Sequence, residues 1–191
     1  MPIHLIWGDD SAARENAIEA LINEIVDAQW ISINLTRLDG SDSTKAILAL
    51  EEARTPAFGS GGRLTVLNRS PFCNGCSSDL AKKFQSSLEL IPESSHLILN
   101  NSLKPDGRLR TTKILQKLVK GKIAKEKIFS LPTLWDLEGQ RQLVRKTAEE
   151  LNLHLEEEAI EAIVDSIGND SIRLRNELEK LSIHMSIEKD T

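Results

Sequence analysis

The sequence predicts an α/β protein: a three-layer domain built around a parallel sheet, followed by a small all-helical domain. Short apolar runs alternate with amphipathic segments up to Pro132, which is typical of parallel strands joined by helical crossovers. After Pro132 no strand pattern remains, and helical periodicities follow one another to the end. We therefore expect an α/β domain over residues 1–132 and a helical domain over residues 133–191.

Five apolar or alternating runs are expected to form the sheet. Gly8 ends the first run and Pro132 closes the last. Residues 30–38 are assigned to a half-buried strand because apolar residues, beginning with Ile31 and Ile33, alternate there with polar ones. The predicted strands span 3–7, 30–38, 63–68, 96–100 and 127–131.

The segments between and after these strands have the apolar spacing of helices. Ser11 is placed to cap the first, in which Ile18, Leu21 and Ile22 share one face. Asp170 is placed to cap the last. The other predicted helices of the first domain span 44–54, 77–91 and 107–121, and those of the second span 133–155, 156–168 and 170–185.

Composition restricts the classes of protein to consider. Hydrophobic residues make up 40% of the 191, which is enough for a core, whereas aromatics at 4% argue against a base-stacking surface. The net charge of −5 argues against non-specific nucleic-acid binding by the chain as a whole. The start, "MPIHLIWGDD", does not resemble a signal peptide, and no run is long enough to span a membrane. We expect a cytoplasmic protein with no membrane partner.

Cys73 and Cys76 form a C-x-x-C motif, which occurs in zinc sites and in redox pairs. A tetrahedral zinc site needs two more ligands, and the four histidines are scattered singly. The motif lies between a strand and a helix, so a redox role stays open. The favoured interpretation is two loop thiols, and no metal is expected.

The turn after the first strand begins like the phosphate-binding loop of ATPases and then departs from it. If that loop starts at Gly8, Arg14 takes the position of the lysine and Glu15 that of the Mg²⁺-binding hydroxyl. Asp9 and Asp10 lie in the turn itself, where a phosphate would meet like charge at about 1–4 kcal/mol for each contact. We expect a degenerate nucleotide site that binds no nucleotide and needs no cofactor.

The second element of an ATPase site is also missing. The strand over 63–68 ends in Asn68 and Arg69, where an ATPase needs acidic residues for its metal. No catalytic residue is therefore expected. An alternative stays open, in which the chain is a degenerate ATPase or kinase that uses Arg14 as its phosphate ligand.

Five stretches, in this order and spacing, carry a resemblance across nearly the whole chain. They are "LIWGDDSAARENAIEALI", "LDGSD", "EEARTPAFGSGGRLTVLNRSPF", "SSHLILNN" and "LHLEEEAIEAIVDSIGNDSIRLRNELEKLSIHM". Together they resemble the delta subunit of the bacterial DNA polymerase III clamp loader. The resemblance implies an AAA+-type core that does not hydrolyse ATP, then a helical lid domain. Members of the family continue into a helical collar domain, for which we find no counterpart in this sequence.

The resemblance also implies a function. The family binds and opens the sliding clamp for loading onto primed DNA, within a DNA polymerase holoenzyme that is a nucleotidyltransferase complex. Its subunits form a pentameric ring, mainly through the collar, and reach DNA through the complex. Without the collar, we expect the present chain to be monomeric.

Residues 54–62 contain the candidate clamp-binding segment. Pro56 disfavours helix at Thr55, and a run of glycine and serine follows Phe58, leaving little core around the ring. Phe58 either folds back onto the sheet or is presented to a partner on a flexible turn. The resemblance implies the second, with Phe58 as the aromatic anchor and Ala57 at the aliphatic position. The predicted clamp-binding residues are Thr55, Pro56, Ala57 and Phe58.

Charged and polar groups elsewhere have plainer interpretations. Nine basic residues lie between Lys104 and Lys127, and Lys113, Lys117 and Lys120 share a helix face. Such a run is usually solvated, but it is also able to contact DNA or a neighbouring subunit, and a DNA-binding regulator is a further alternative.

Two pairs of polar residues occupy positions where active AAA+ proteins sense the nucleotide. Asn100 and Asn101 end a strand and are interpreted as strand-end hydrogen-bonding groups. Arg173 and Arg175 open the last helix, where a solvated face or an interdomain ion pair is the favoured interpretation.

Overall fold

The structure, a computed structural model, describes residues 3–189, with side chains described as far as Met185. The chain divides into two compact units. The first comprises the residues up to Asp9 together with Ala13–Phe129, and the second comprises Asp10–Ala12 together with the residues from Ser130 onward.

The first unit contains a five-stranded sheet in which every pairing is parallel, as predicted. Its strands are β1 (Ile3–Trp7), β2 (Leu35–Asp39), β3 (Arg63–Asn68), β4 (Ser95–Asn101) and β5 (Ala124–Ile128). Their order across the sheet is β2-β3-β4-β1-β5. The three inner strands are apolar on both faces, as a parallel sheet covered on both sides requires.

Helices cover both faces and complete the predicted three layers. They are α1 (Ser11–Ile25), α2 (Ile31–Asn34), α3 (Ser43–Arg54), α4 (Ser78–Leu88) and α5 (Arg110–Lys120), and a 3-10 turn (Ala28–Trp30) precedes α2. On one face, residues of α3, α4 and α5 pack around Leu97, Phe72 and Phe84. On the other, Ile18 and Ile22 of α1 pack on the sheet.

The predicted strand over 30–38 is wrong in its first half. Asp27 accepts a hydrogen bond from the backbone N–H of Gln29 at 2.9 Å and so caps the 3-10 turn, and the chain continues into α2 before β2 begins at Leu35. The alternation of Ile31 and Ile33 arises from two partly exposed helical side chains, not from a strand.

The predicted last strand, 127–131, is displaced. β5 begins at Ala124 and ends at Ile128 at one edge of the sheet, where the side chains of Lys125, Glu126 and Lys127 are exposed. The apolar signal that follows belongs to Phe129, which packs against the α1 face of the core after the strand has ended.

The second unit is all-helical, with α6 (Leu137–Glu150), α7 (Glu157–Ile167) and α8 (Ser171–Lys189). A small core built around Val144, Ile160 and Leu174 joins the three helices. Asp170 accepts a hydrogen bond from the backbone N–H of Arg173 at 3.0 Å, which confirms the predicted cap. No helix among the described residues is long and apolar enough to cross a membrane.

Candidate functional site

The predicted clamp-binding segment directly follows α3, which ends at Arg54. Thr55 is extended, as a residue before proline must be, and its carbonyl accepts a hydrogen bond from the Ser95 hydroxyl at 2.7 Å. The hydroxyl of Thr55 turns back to the Glu51 carbonyl at 3.2 Å. Thr55 therefore ends α3 and attaches the beginning of the loop to the start of β4.

A single buried side chain holds the backbone of Phe58. Asn34, which is 0% exposed, accepts the Phe58 backbone N–H at 2.9 Å and donates to the Phe58 carbonyl at 2.8 Å. The side-chain amide of Asn34 thus makes hydrogen bonds with both the backbone N–H and the backbone carbonyl of Phe58. Because a buried amide without partners is costly, these two bonds fix the backbone at Phe58.

The ring of Phe58 lies at the surface, with 54% of the residue exposed. It packs against the Trp30 ring in an edge-to-face arrangement, with centroids 4.9 Å apart and planes at 76°. Aromatic pairs prefer this geometry. Phe58 is therefore supported on one side and open on the other, and it does not occupy the core of the sheet.

The glycine run after Phe58 is anchored, and the expected flexible turn is not found. A Cβ at Gly59 would lie 2.5 Å from the Trp30 indole, so only glycine fits there. Gly61 pairs with Val26 in an isolated antiparallel bridge. The Ser60 hydroxyl donates to Asp27, and this bond, with one from a backbone N–H, lowers the pKa of the Asp27 carboxyl. The loop is thus attached to the chain that follows α1.

The predicted degenerate nucleotide site begins at a crowded turn. Gly8 has a φ of +134°, and a Cβ there would lie 1.9 Å from the Phe129 carbonyl oxygen. Its N–H donates to the Asn101 carbonyl at 3.2 Å. The backbone of residues 101 and 129 therefore packs directly on the turn in which an ATPase would hold phosphates.

The side chains that occupy the positions of an ATPase site make hydrogen bonds and ion pairs with other side chains of the protein. Arg14 donates to the side-chain carbonyl of Asn100, and the Asn100 amide donates to Asn68 at 2.7 Å. Glu15 pairs with Arg37 of β2. This chain of hydrogen bonds crosses the carboxyl ends of β3 and β4, where ligands of such sheets bind.

The two aspartates of the turn separate. Asp9 is exposed. Asp10 is buried and belongs to the second unit, where it accepts a hydrogen bond from the Ser171 hydroxyl at 2.8 Å. The predicted residues of this site are therefore divided between the two units.

Asn101 repeats the arrangement seen at Asn34. Its side chain accepts the Ser70 backbone N–H at 2.8 Å and donates to the Ser70 carbonyl at 3.1 Å. Both asparagines at the end of β4 thus bind neighbouring groups of the protein, in agreement with their interpretation as strand-end hydrogen-bonding groups.

The remaining candidates are simpler. Lys113, Lys117 and Lys120 are exposed on α5. Arg175 pairs with Glu150 and Glu179. All three residues belong to the second unit, so this is not the interdomain ion pair that the sequence suggested as one interpretation. Cys73 is buried, and burial raises the pKa of its thiol to about 12, which is opposite to what a redox pair requires. Among the described residues, no cluster of three or more histidine, cysteine or acidic side chains is able to hold a metal.

The two residues that hold Phe58, Trp30 and Asn34, are not identified by the sequence analysis. Both were assigned to a strand, and their partner Phe58 lies 24 positions beyond Asn34. The available signal was the pair of Trp30 and Asn34 at helical spacing, which the alternating isoleucines between them obscured.

Comparison with solved structures shows that the α/β fold of this chain recurs in three replication proteins of low sequence identity. The Bacillus subtilis DNA clamp loader delta protein (YqeN) matches with a TM-score of 0.69 at 18% identity, over 97% of this chain and 54% of that one. A replication initiator DnaA bound to AMPPCP and single-stranded DNA matches with a TM-score of 0.54 at 14% identity, over 99% of this chain and 58% of that one. Domain III of the Thermotoga maritima replication initiation protein DnaA matches with a TM-score of 0.50 at 15% identity, over 98% of this chain and 78% of that one.

The family is narrower than the fold. The family model for the DNA polymerase III delta subunit matches residues 4–127, and the chain belongs to that family. It spans about half the length of the Bacillus subtilis delta protein that it matches. No curated protein matches the sequence significantly.

Proposed function

We propose that this chain binds the DNA polymerase sliding clamp through Thr55–Phe58 and acts as the clamp-opening subunit of a clamp loader. One observation carries the proposal: in a chain of the delta family, an exposed phenylalanine stands on a loop whose backbone is fixed by buried hydrogen bonds. Aromatic anchors on rigid supports are typical of the few residues that dominate protein interfaces.

The binding free energy is concentrated in one side chain. Phe58 offers a large apolar surface, whereas the neighbouring Ala57 is small and partly buried and Thr55 is polar. A pocket on the clamp that accepts the ring would therefore gain little from the positions before it. We expect a contact of modest affinity that depends on Phe58.

The proposal includes no ATP hydrolysis by this subunit. Arg14 is bound to Asn100 and Glu15 to Arg37, so a nucleotide would have to break both contacts before meeting a phosphate ligand. The turn at Gly8 is also packed against the backbone of Phe129. These observations favour a mechanical role over the alternative of a degenerate ATPase or kinase.

The wider assembly is part of the same proposal. Other clamp-loader subunits would join this one in a pentameric ring and reach DNA through the complex. The exposed face of Lys113, Lys117 and Lys120 is then available to DNA or to a neighbouring subunit. A gel shift at two salt concentrations, with the three lysines changed to glutamine, tests the DNA contact, because phosphate contacts weaken steeply with salt.

The decisive experiment measures binding to the cognate sliding clamp by surface plasmon resonance. Phe58→Ala should weaken binding by about 2 kcal/mol or more while leaving the melting temperature nearly unchanged. Ile128→Ala is the matched control, since Ile128 is also 54% exposed but lies on the opposite edge strand. Its clamp affinity should equal that of the wild type.

The opposite pair of results would refute the docking site. If Phe58→Ala lowers the unfolding free energy as a core substitution would, by about 3–5 kcal/mol, and the folded fraction still binds the clamp normally, Phe58 is structural. If neither the wild type nor any variant binds the clamp, the proposed function itself fails.

A further inference from the structure

We infer that Trp30 and Asn34 are positioning residues that fix Phe58 in its docking geometry before any partner arrives. The inference rests on the proposed function, because it concerns how the same site reaches its partner. Neither residue needs to contact the clamp: Asn34 is fully buried, and Trp30 acts on the ring of Phe58.

The two residues belong to one short stretch of the chain. Trp30 ends the 3-10 turn and Asn34 ends α2, four positions further on. Trp30 supports the ring of Phe58 by an edge-to-face contact, and Asn34 accepts its N–H and donates to its carbonyl. The backbone and the side chain of Phe58 are therefore both held by residues 30–34.

Gly59 is the third residue that fixes the position of Phe58. Its positive φ of +70° turns the chain immediately after Phe58, and the absence of a side chain lets the Trp30 indole approach the backbone. Together these contacts restrict a loop that would otherwise be free. A loop that is ordered in advance loses less conformational entropy on binding, and its affinity is higher for that reason.

Asn101 provides a control with the same chemistry. Asn101, at the end of β4, is buried like Asn34. Its side chain makes hydrogen bonds with the backbone N–H and the backbone carbonyl of one residue, Ser70. Asn34→Ala and Asn101→Ala therefore remove the same pair of hydrogen bonds from two different loops. Both should lower stability by similar amounts, but only the first should affect docking.

The experiment measures clamp affinity for the whole chain and its variants at a temperature where each is folded. Asn34→Ala should raise the Kd for the sliding clamp about tenfold, and Asn101→Ala should leave it within about twofold. Trp30→Ala, which leaves the buried amide intact, should also weaken binding. In a Phe58→Ala background, Asn34→Ala should have no further effect, since its role passes through Phe58.

Amide hydrogen exchange tests the geometry without the clamp. The Phe58 amide should exchange slowly in the wild type and in Asn101→Ala, and quickly in Asn34→Ala. Rapid exchange of this amide in the wild type would overturn the inference. So would equal losses of affinity in Asn34→Ala and Asn101→Ala, or a loss in Asn34→Ala that persists without Phe58.

Failure of the proposed function gives a different pattern. If Phe58→Ala leaves clamp binding unchanged, or if the clamp does not bind at all, the docking role is lost while the exchange rates still report whether Asn34 and Trp30 order the loop. If Phe58→Ala weakens binding and Asn34→Ala does not, only the positioning role is refuted.

Discussion

His4 and His96 face each other from the adjacent strands β1 and β4, with Nε2 of His4 3.3 Å from Nδ1 of His96. One of these nitrogens must donate and the other accept, which is natural for two neutral rings. Burial, the neighbouring His96, and the positive charges of Lys125 and Lys127 lower the pKa of His4 to about 4. Burial also lowers the pKa of His96.

This pair predicts a loss of stability in mild acid. Because the unfolded chain takes up a proton on His4 near pH 6.5 and the folded chain only near pH 4, the unfolded state binds more protons between these values. The stabilisation is complete above about pH 6.5 and declines as the pH falls towards 4, by about 3 kcal/mol in total.

Urea denaturation at pH 7.0, 5.5 and 4.5 measures the effect. His4→Gln serves as the control, because glutamine can donate a hydrogen bond but takes up no proton in this range. Its unfolding free energy should fall less steeply with acid than that of the wild type. Identical slopes for the two proteins would show that His4 does not titrate as described.

Gly8→Ala should destabilise the fold strongly. The added Cβ would meet the Phe129 carbonyl oxygen at 1.9 Å, on a backbone conformation that alanine rarely adopts. We expect a cost of about 3 kcal/mol or more, measured by thermal or urea denaturation. Gly75→Ala separates the two causes, since Gly75 also has a positive φ, +86°, but nothing lies within 4 Å of its Cβ position. That variant should lose about 1–2 kcal/mol.

Mg·ATP should not stabilise the chain. A ligand held at 100 times its Kd raises the unfolding free energy by about 2.7 kcal/mol, which shifts a melting temperature by several degrees. Differential scanning fluorimetry with millimolar Mg·ATP should give the same melting temperature as Mg²⁺ alone. A clear rise that Arg14→Ala abolishes would instead support the ATPase or kinase alternative.

Ala57→Leu should strengthen the clamp contact. Leucine adds apolar area next to Phe58, and the gain is limited to about 1–2 kcal/mol for one partly buried aliphatic side chain. Titration calorimetry or surface plasmon resonance would measure it, with Ala57→Ser as a control of similar size that adds no apolar area. A weaker contact in Ala57→Leu would mean that the partner pocket has no room at this position.

The chain should be monomeric at micromolar concentration in sedimentation equilibrium. Among the described residues, Leu134, Trp135 and Leu137 form an exposed apolar group, with Trp135 89% exposed. Three side chains fall well short of the roughly 800 Å² that each partner of a stable interface buries. A tight dimer would contradict this prediction, and its loss in Trp135→Ser would identify the group as the interface.

The inner strands are the part of the fold that sequence predicts best. β1 and β3 begin and end at the predicted residues, and β4 extends one residue further at each end. Their strong signal has a physical cause: both faces of each strand are buried, so nearly every position must be apolar. The edge strands lack this requirement, and both of them were misplaced.

The loop over residues 55–62 is the least predictable region, because its conformation depends on residues distant in the sequence. Phe58 is held by Asn34, and Ser60 by Asp27, in contacts that no local pattern encodes. A run of glycines suggests freedom, yet here Gly59 and Gly61 are required by close approach to Trp30 and Asp27. Local propensity describes the conformations that a segment can adopt alone, whereas these contacts determine which conformation it adopts in the folded protein.

The charged side chains of β5 oppose the pairing of this edge strand with a strand of another molecule at high concentration. An edge strand presents unpaired N–H and C=O groups, which another sheet could extend into a continuous ribbon and eventually a fibre. On β5, Lys125, Glu126 and Lys127 project into solvent in succession, and Trp7 fixes Glu126 through a 2.7 Å hydrogen bond from its indole. A second strand docking there would have to strip water from all three charges. The sheet can therefore end in an unpaired edge strand that does not promote aggregation.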